Sequence, residues 1–198
     1  MSRAAAAESG TRNRTRRAIL DAAATALYRN RKAPLADIAA AADVGRSTLH
    51  RYFPDREELV SAVIADALQR LSSSVEEARV DEGPPREAMR RLIAAMVASG
   101  DGLLFLLHDP NIFEGLDANG EPCGADAEDP DHDLPVLDLI ERGQAAGVFD
   151  PEVSTAWVLS VLWGLVYTGC EAANEGTLAR HAVAATVIRT FENGVAVT

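Results

Sequence analysis

The sequence predicts an all-α protein: an N-terminal three-helix domain built around a helix-turn-helix, followed by a larger helical domain, with about nine helices in all. Three observations carry this. Apolar residues recur at helical spacing through most of the 198 residues. No run of alternating apolar and polar residues bounded by turn residues proposes a strand. The tight sequence Asp43-Val44-Gly45 separates two short helical segments near the start. A hydrophobic content of 47% is enough to fill a core, and the expected domains are residues 10–56 and 57–198.

The first helix is expected over Thr11 to Arg29, where Ile19, Leu20, Ala23, Ala24, Leu27 and Tyr28 share a face and Asn30 is a plausible left-handed stop. Pro34 suits the first turn of a second helix ending near Ala42, and Ala39 with Ala40 keeps that helix thin enough for a third to cross it. The third runs from Arg46 to about Phe53 with Gly45 as its N-cap, and Val44 and Leu49 point into a small core with Ile19, Leu35 and Ile38. Asp55 and Glu58 form a capping-box pair before Leu59, Val63, Ala67 and Leu71, predicting a long fourth helix to about Arg79. Met89, Leu92, Ile93, Met96 and Val97 mark a fifth, and residues 103–107, LLFLL, a short sixth. Residues 109–133 hold nine acids, no Lys or Arg, three Pro and three Gly, and are expected to form a long loop. Helical periodicity returns over 134–146, 153–173 and 177–192.

Charge divides the chain. The net charge is -11, yet residues 1–53 hold 10 Lys/Arg against 4 Asp/Glu, so the excess of acid lies wholly in the rest. A basic head on an acidic body suits a head that meets a polyanion. The third helix supplies the means. Arg46, Ser47, Thr48, His50, Arg51 and Tyr52 crowd two turns without an acid among them, each able to donate to a phosphate or a base edge, and Arg12, Arg14, Arg16 and Arg17 cluster nearby on the first helix. Two short helices joined by a tight turn are the arrangement that lays the second in the major groove. The partner expected is double-stranded DNA.

The stretches TRRAILDAAATAL and PLADIAAAADVGRSTLHRYFPDREELVSAVI resemble the N-terminal domain of the TetR family of one-component transcriptional repressors, over roughly residues 12 to 66. The resemblance implies a homodimer that releases a palindromic operator when its C-terminal helices bind a small ligand. It also implies Thr48 and Tyr52 as phosphate clamps, Arg46 and His50 at base edges, and Arg56 as a further phosphate contact. Several positions depart from the family's pattern: Asp43 stands where Gly is usual, Gly45 where Ser is usual, and His50 and Tyr52 where Tyr and His are usual.

In the body, Val153, Ala156, Trp157, Ser160, Val161, Gly164, Leu165 and Thr168 form one stripe with small residues that admit a close helix, and Leu178, Ala182, Ala185, Ile188 and Phe191 give the last helix a matching face. Paired with symmetry mates these make a four-helix dimer interface; the alternative is that both helices cover their own core. Met89, Met96, Phe105, His108, Phe113, Trp163 and Tyr167 are candidates to line a pocket for a largely apolar or aromatic effector. Residues 153–170 carry no charge over 18 residues, but polar dilution and acidic flanks favour a buried or interface helix over a membrane span. No signal peptide is visible and the two cysteines have no CxxC spacing, so a cytoplasmic protein with reduced thiols is expected. No cofactor or metal is expected, and the protein is not expected to be an enzyme. His108, Cys123 and His132 offer only an irregular spacing for an enzymatic alternative. The other alternative is a DNA-binding protein without ligand control.

Overall fold

The computed structural model describes residues 3–107 and 135–195. The expected loop 109–133, with Phe113, Cys123 and His132, lies outside the described residues, as does His108. Among the described residues there are nine α-helices and no strand: α1 Arg3–Arg29, α2 Leu35–Ala41, α3 Arg46–Tyr52, α4 Arg56–Ala78, α5 Pro85–Ala98, α6 Asp101–Leu107, α7 Pro135–Ala145, α8 Thr155–Asn174 and α9 Val183–Val195. A 3-10 turn, Arg180–Ala182, precedes α9. The chain divides into two compact units, Met1–Gln69 and Arg70–Thr198, with the division inside α4.

The first unit is a small helical core. Ile19, Ala23, Ile38, Leu49 and Leu59 are at most 1% exposed, so α1 to α4 each contribute to it. α1 begins eight residues before the expected Thr11, because the alanine run that follows Arg3 is the strongest helix-forming composition and Gly10 is absorbed within it. The helix stops at Arg29, but Asn30 is not left-handed. Its side-chain oxygen instead accepts from the Lys32 N–H at 3.0 Å, and its carbonyl from Ala33 N–H at 2.8 Å, so an Asx turn makes the stop. Of the two alanines expected at the α2–α3 crossing, only Ala39 is buried; Ala40 faces solvent. Asp55 Oδ1 accepts the Glu58 N–H at 2.8 Å, the N-cap bond that the capping-box pattern predicts for α4.

In the second unit α8 and α9 pack closely at Gly169, where an added Cβ would lie 2.7 Å from a Val187 methyl and 3.0 Å from one of Val183. Phe149 and Phe191 meet edge to face, with centroids 5.8 Å apart at 83°. Phe191 is thus fully buried in its own chain, which corrects its expected place on the outward face of the last helix. That helix also starts later than 177. Thr177 and Leu178 N–H both donate to Ala172 O, at 2.9 and 3.1 Å, so these residues close the end of α8 and are not free to begin α9. α4 ends at Ala78, the next residue Arg79 has a φ of 45°, and the Arg91 guanidinium gathers the carbonyls of Ala78, Arg79 and Glu82 at 2.7 to 2.8 Å. A side chain from α5 therefore caps α4.

Candidate functional site

The turn before α3 is set by its backbone. Asp43 adopts φ 53°, the left-handed geometry an Asp tolerates, while its N–H donates to Ala40 O at 3.1 Å and that of Val44 to Ala39 O at 3.0 Å. Gly45 is the N-cap of α3 in extended geometry, φ -71° and ψ 150°, and its carbonyl takes the Leu49 N–H at 3.0 Å. Leu49 and Phe53, at 1% and 2% exposure, anchor the inner face of α3. The outer face follows from that anchoring: Arg46, Ser47, His50 and Arg51 are exposed together, and Thr48 and Tyr52 are half-buried at its margin.

The predicted contact residues differ in how far they are committed. The His50 Nδ1–H donates to Pro54 O at 3.1 Å, which fixes the ring and leaves Nε2 as its remaining polar atom. The Tyr52 hydroxyl donates to the Arg12 carbonyl of α1 at 3.3 Å. The guanidiniums of Arg12 and Arg51 lie 6.0 and 5.7 Å from the Tyr52 ring centroid, and that of Arg16 lies 5.5 Å from Phe53. Such contacts contribute about 0.5–1 kcal/mol each at exposed sites. Arg56, expected to add a phosphate contact, is also bound within the protein. Its Nη1 donates to Ala33 O at 2.5 Å and its Nη2 to Arg31 O, so it braces the α1–α2 loop.

Arg46, Ser47, His50 and Arg51 therefore present cationic and neutral donors on one rigid surface, and no acid of α3 interrupts them. A helix of this kind, held across a second by a buried leucine, fits the major groove with its side chains against base edges and phosphates. Sequence periodicity did not separate these roles, because it reports only each residue's place on its own helix. The partners of Tyr52 and Arg56 lie 40 and about 23 to 25 residues away.

In the second unit, three of the candidate pocket residues, Met89, Met96 and Phe105, are core side chains at 2%, 1% and 3% exposure. Trp163 and Tyr167 are half-buried, and the Tyr167 hydroxyl donates to Glu171 Oε1 at 3.2 Å. A separate surface cleft of about 280 Å³ is lined by Asp81, Pro135, Asp138, Leu139, Glu141 and Arg142, none of them a predicted ligand residue. On α8 the residues expected at a subunit interface lie on one outward face: Trp157 is 59% exposed, Ser160, Gly164 and Thr168 are exposed, and Val161 is half-buried. Ser160 and Thr168 turn their hydroxyls back to Ala156 O and Gly164 O, at 2.9 and 2.8 Å, which leaves that face without unsatisfied hydroxyl donors. Ala185 is exposed on α9; Ala182, in the 3-10 turn, and Ile188 are half-buried. Among the described residues no group of three or more His, Cys, Asp or Glu is placed to hold a metal. Cys170 is buried, and burial pushes its thiol pKa up.

Residues 19–63 match the family model for bacterial regulatory proteins of the tetR family. The chain is 35% identical over 189 residues to the HTH-type transcriptional repressor LfrR of Mycolicibacterium smegmatis, across 95% of this chain and 94% of the relative. It is 29% identical over 179 residues to the HTH-type transcriptional regulator NfxB of Pseudomonas aeruginosa, across 89% of this chain and 91% of the relative. The crystal structure of the TetR-like regulator LfrR from Mycobacterium smegmatis superimposes with a TM-score of 0.73 at 32% identity, covering 96% of this chain and 99% of that one. The crystal structure of LfrR in complex with proflavine does so with a TM-score of 0.64 at 31% identity, covering 95% and 99%.

Proposed function

The chain belongs to the tetR family of bacterial regulatory proteins, and from that premise we propose that it is a homodimeric repressor whose α3 reads a palindromic operator and whose second unit answers a small aromatic effector. The observation that carries the DNA reading is the outer face of α3. Arg46 and His50 are the residues assigned to base edges, Ser47, Thr48 and Arg51 to the backbone. The effector class rests on the half-buried rings of Trp163 and Tyr167 and on the proflavine complex of LfrR, a relative similar over nearly the whole chain. Dimerisation rests on the outward stripe of α8. That helix is long and apolar enough by length and composition to cross a membrane, but its exposed Trp157, Ser160, Gly164 and Thr168 fit a helix of a second copy, and a cytoplasmic place suits a DNA-bound regulator.

The test begins with selection of duplexes from a random library on the purified protein. A two-fold symmetric sequence should be recovered, and proflavine should release it. Recovery of no preferred sequence would overturn the operator reading. One observation favours a second reading, DNA binding without ligand control: Met89, Met96 and Phe105 are packed shut. Under it, proflavine leaves operator binding unchanged.

A further inference from the structure

We propose that the arginine-rich first half of α1 carries a second, sequence-independent DNA contact: Arg12 and Arg16 join Arg51 in one phosphate-binding strip, which Tyr52 latches to α3. The inference rests on reading the helix-turn-helix as a DNA-binding element. Residues 11–17, TRNRTRR, hold four arginines and no acid, and they precede the segment 19–63 that matches the family model. By sequence the four are equivalent; the structure divides them.

Arg17 is already paired, with Asp66 at 3.2 Å and Asp21 at 4.0 Å. Arg14 lies two residues from both Arg12 and Arg16, about 200° around the helix from each, and donates to Thr11 Oγ1 at 3.2 Å. Arg12 and Arg16, four residues apart, share the face that meets α3, where their guanidiniums stand over Tyr52 and Phe53. Arg51 approaches the Tyr52 ring as well. Three exposed cations are thus gathered at the end of α3, and among the described residues none of them is in an ion pair. Ring faces orient guanidiniums but do not neutralise them, so the cluster is left with a mutual repulsion that an anion relieves. A row of phosphates next to the groove occupied by α3 is an anion of the right chemistry, and planar guanidiniums bind it through paired donors. The hydroxyl of Tyr52, spent on the Arg12 carbonyl, makes it a positioning residue: it ties the strip to the helix that reads the bases.

The test is the salt dependence of binding to a fluorescein-labelled duplex of random sequence, about 30 bp long, which reads phosphate neutralisation alone. Arg12→Ala and Arg16→Ala should each flatten the log-log slope by about 0.9 for every phosphate left without its guanidinium. Arg14→Ala, an equal change of charge on the opposite face, should leave the slope at the wild-type value. Tyr52→Phe keeps the ring and removes the hydroxyl; it should weaken binding in the wild-type background and have no effect once Arg12 and Arg16 are both alanine. Slopes unmoved by Arg12→Ala and Arg16→Ala, or moved equally by Arg14→Ala, overturn the strip. An undiminished effect of Tyr52→Phe in the double-alanine background overturns the latch, since the hydroxyl then meets DNA itself. A wild-type protein that prefers no sequence to the random duplex instead defeats operator reading, and the slopes still decide the strip.

Discussion

Glu192 of α9 accepts from Arg90 of α5 through both carboxylate oxygens, Nε to Oε1 at 2.7 Å and Nη2 to Oε2 at 3.0 Å. The hydrogen bonds from Arg90 hold the Glu192 carboxyl below its usual 4.5, while the carboxylate raises the Arg90 pKa, so the pair stays charged through neutral pH. The folded chain therefore releases this proton more readily than the unfolded one. The stabilisation is complete above the unfolded carboxyl's pKa and is lost as pH falls through the lower folded value. Glu192→Gln should lower the unfolding midpoint at pH 7, and the gap to wild type should close progressively below about pH 4.5; a gap independent of pH would deny the pair this role. Gly143 sets a second prediction. A Cβ there would lie 2.1 Å from Phe149 Cδ2, so Gly143→Ala must displace a ring that is 1% exposed, and overpacking of this kind costs about 1 to 3 kcal/mol in urea unfolding. Neither feature was legible in the sequence. Periodicity places Glu192 and Gly143 on their own helices, whereas their partners come from another helix and from beyond a helix end.

At the scale of elements, legibility followed the presence of a core face and of a punctuating residue beside it. The bounds of α2 and α3 emerge from Pro34 and Gly45, and the existence of α5 from the Met89 to Met96 stripe, because a core face and a punctuating residue both act locally. The start of α1 and the bounds of α9 did not. An alanine run carries no face to count, and Thr177 and Leu178 serve the helix behind them. The turn before α3 was legible for a physical reason: Asp is one of the few residues that adopts positive φ at modest cost, and Asp43 does so. Asp43→Gly should hence be tolerated, while the β-branched Asp43→Val should lose about 1 to 2 kcal/mol and weaken operator binding by tilting α3. Thermal unfolding and a DNA titration check this together; equal stability of the two variants would mean that the turn relaxes to another geometry.

On the scale of the whole molecule, the exposed face of α8 is the surface that a second copy would cover. A Cβ on Gly164 meets no heavy atom within 4 Å, so a larger residue there strains nothing in its own protomer. Gly164→Phe should leave the thermal midpoint of the protomer intact yet weaken association by about 1 to 3 kcal/mol, roughly 5- to 150-fold in dissociation constant by sedimentation. Wild-type protein that is monomeric at micromolar concentration would remove the interface. The last prediction concerns the effector, and it depends on free energies alone. If a ligand releases DNA, it does so because it binds the DNA-free state more tightly than the DNA-bound one; a hundredfold difference corresponds to about 2.7 kcal/mol, within reach of one well-buried aromatic molecule. Linkage is reciprocal, so operator duplex must weaken effector binding by the same factor that effector weakens operator binding. Proflavine fluorescence, titrated with protein in the presence and absence of saturating operator, measures that factor from one side, with a duplex-only titration subtracting the dye that stacks in DNA. DNA anisotropy with and without proflavine measures it from the other. The two should agree. Equal proflavine dissociation constants with and without operator would show that the protein binds both partners independently, and the switch would be absent however tightly each is held.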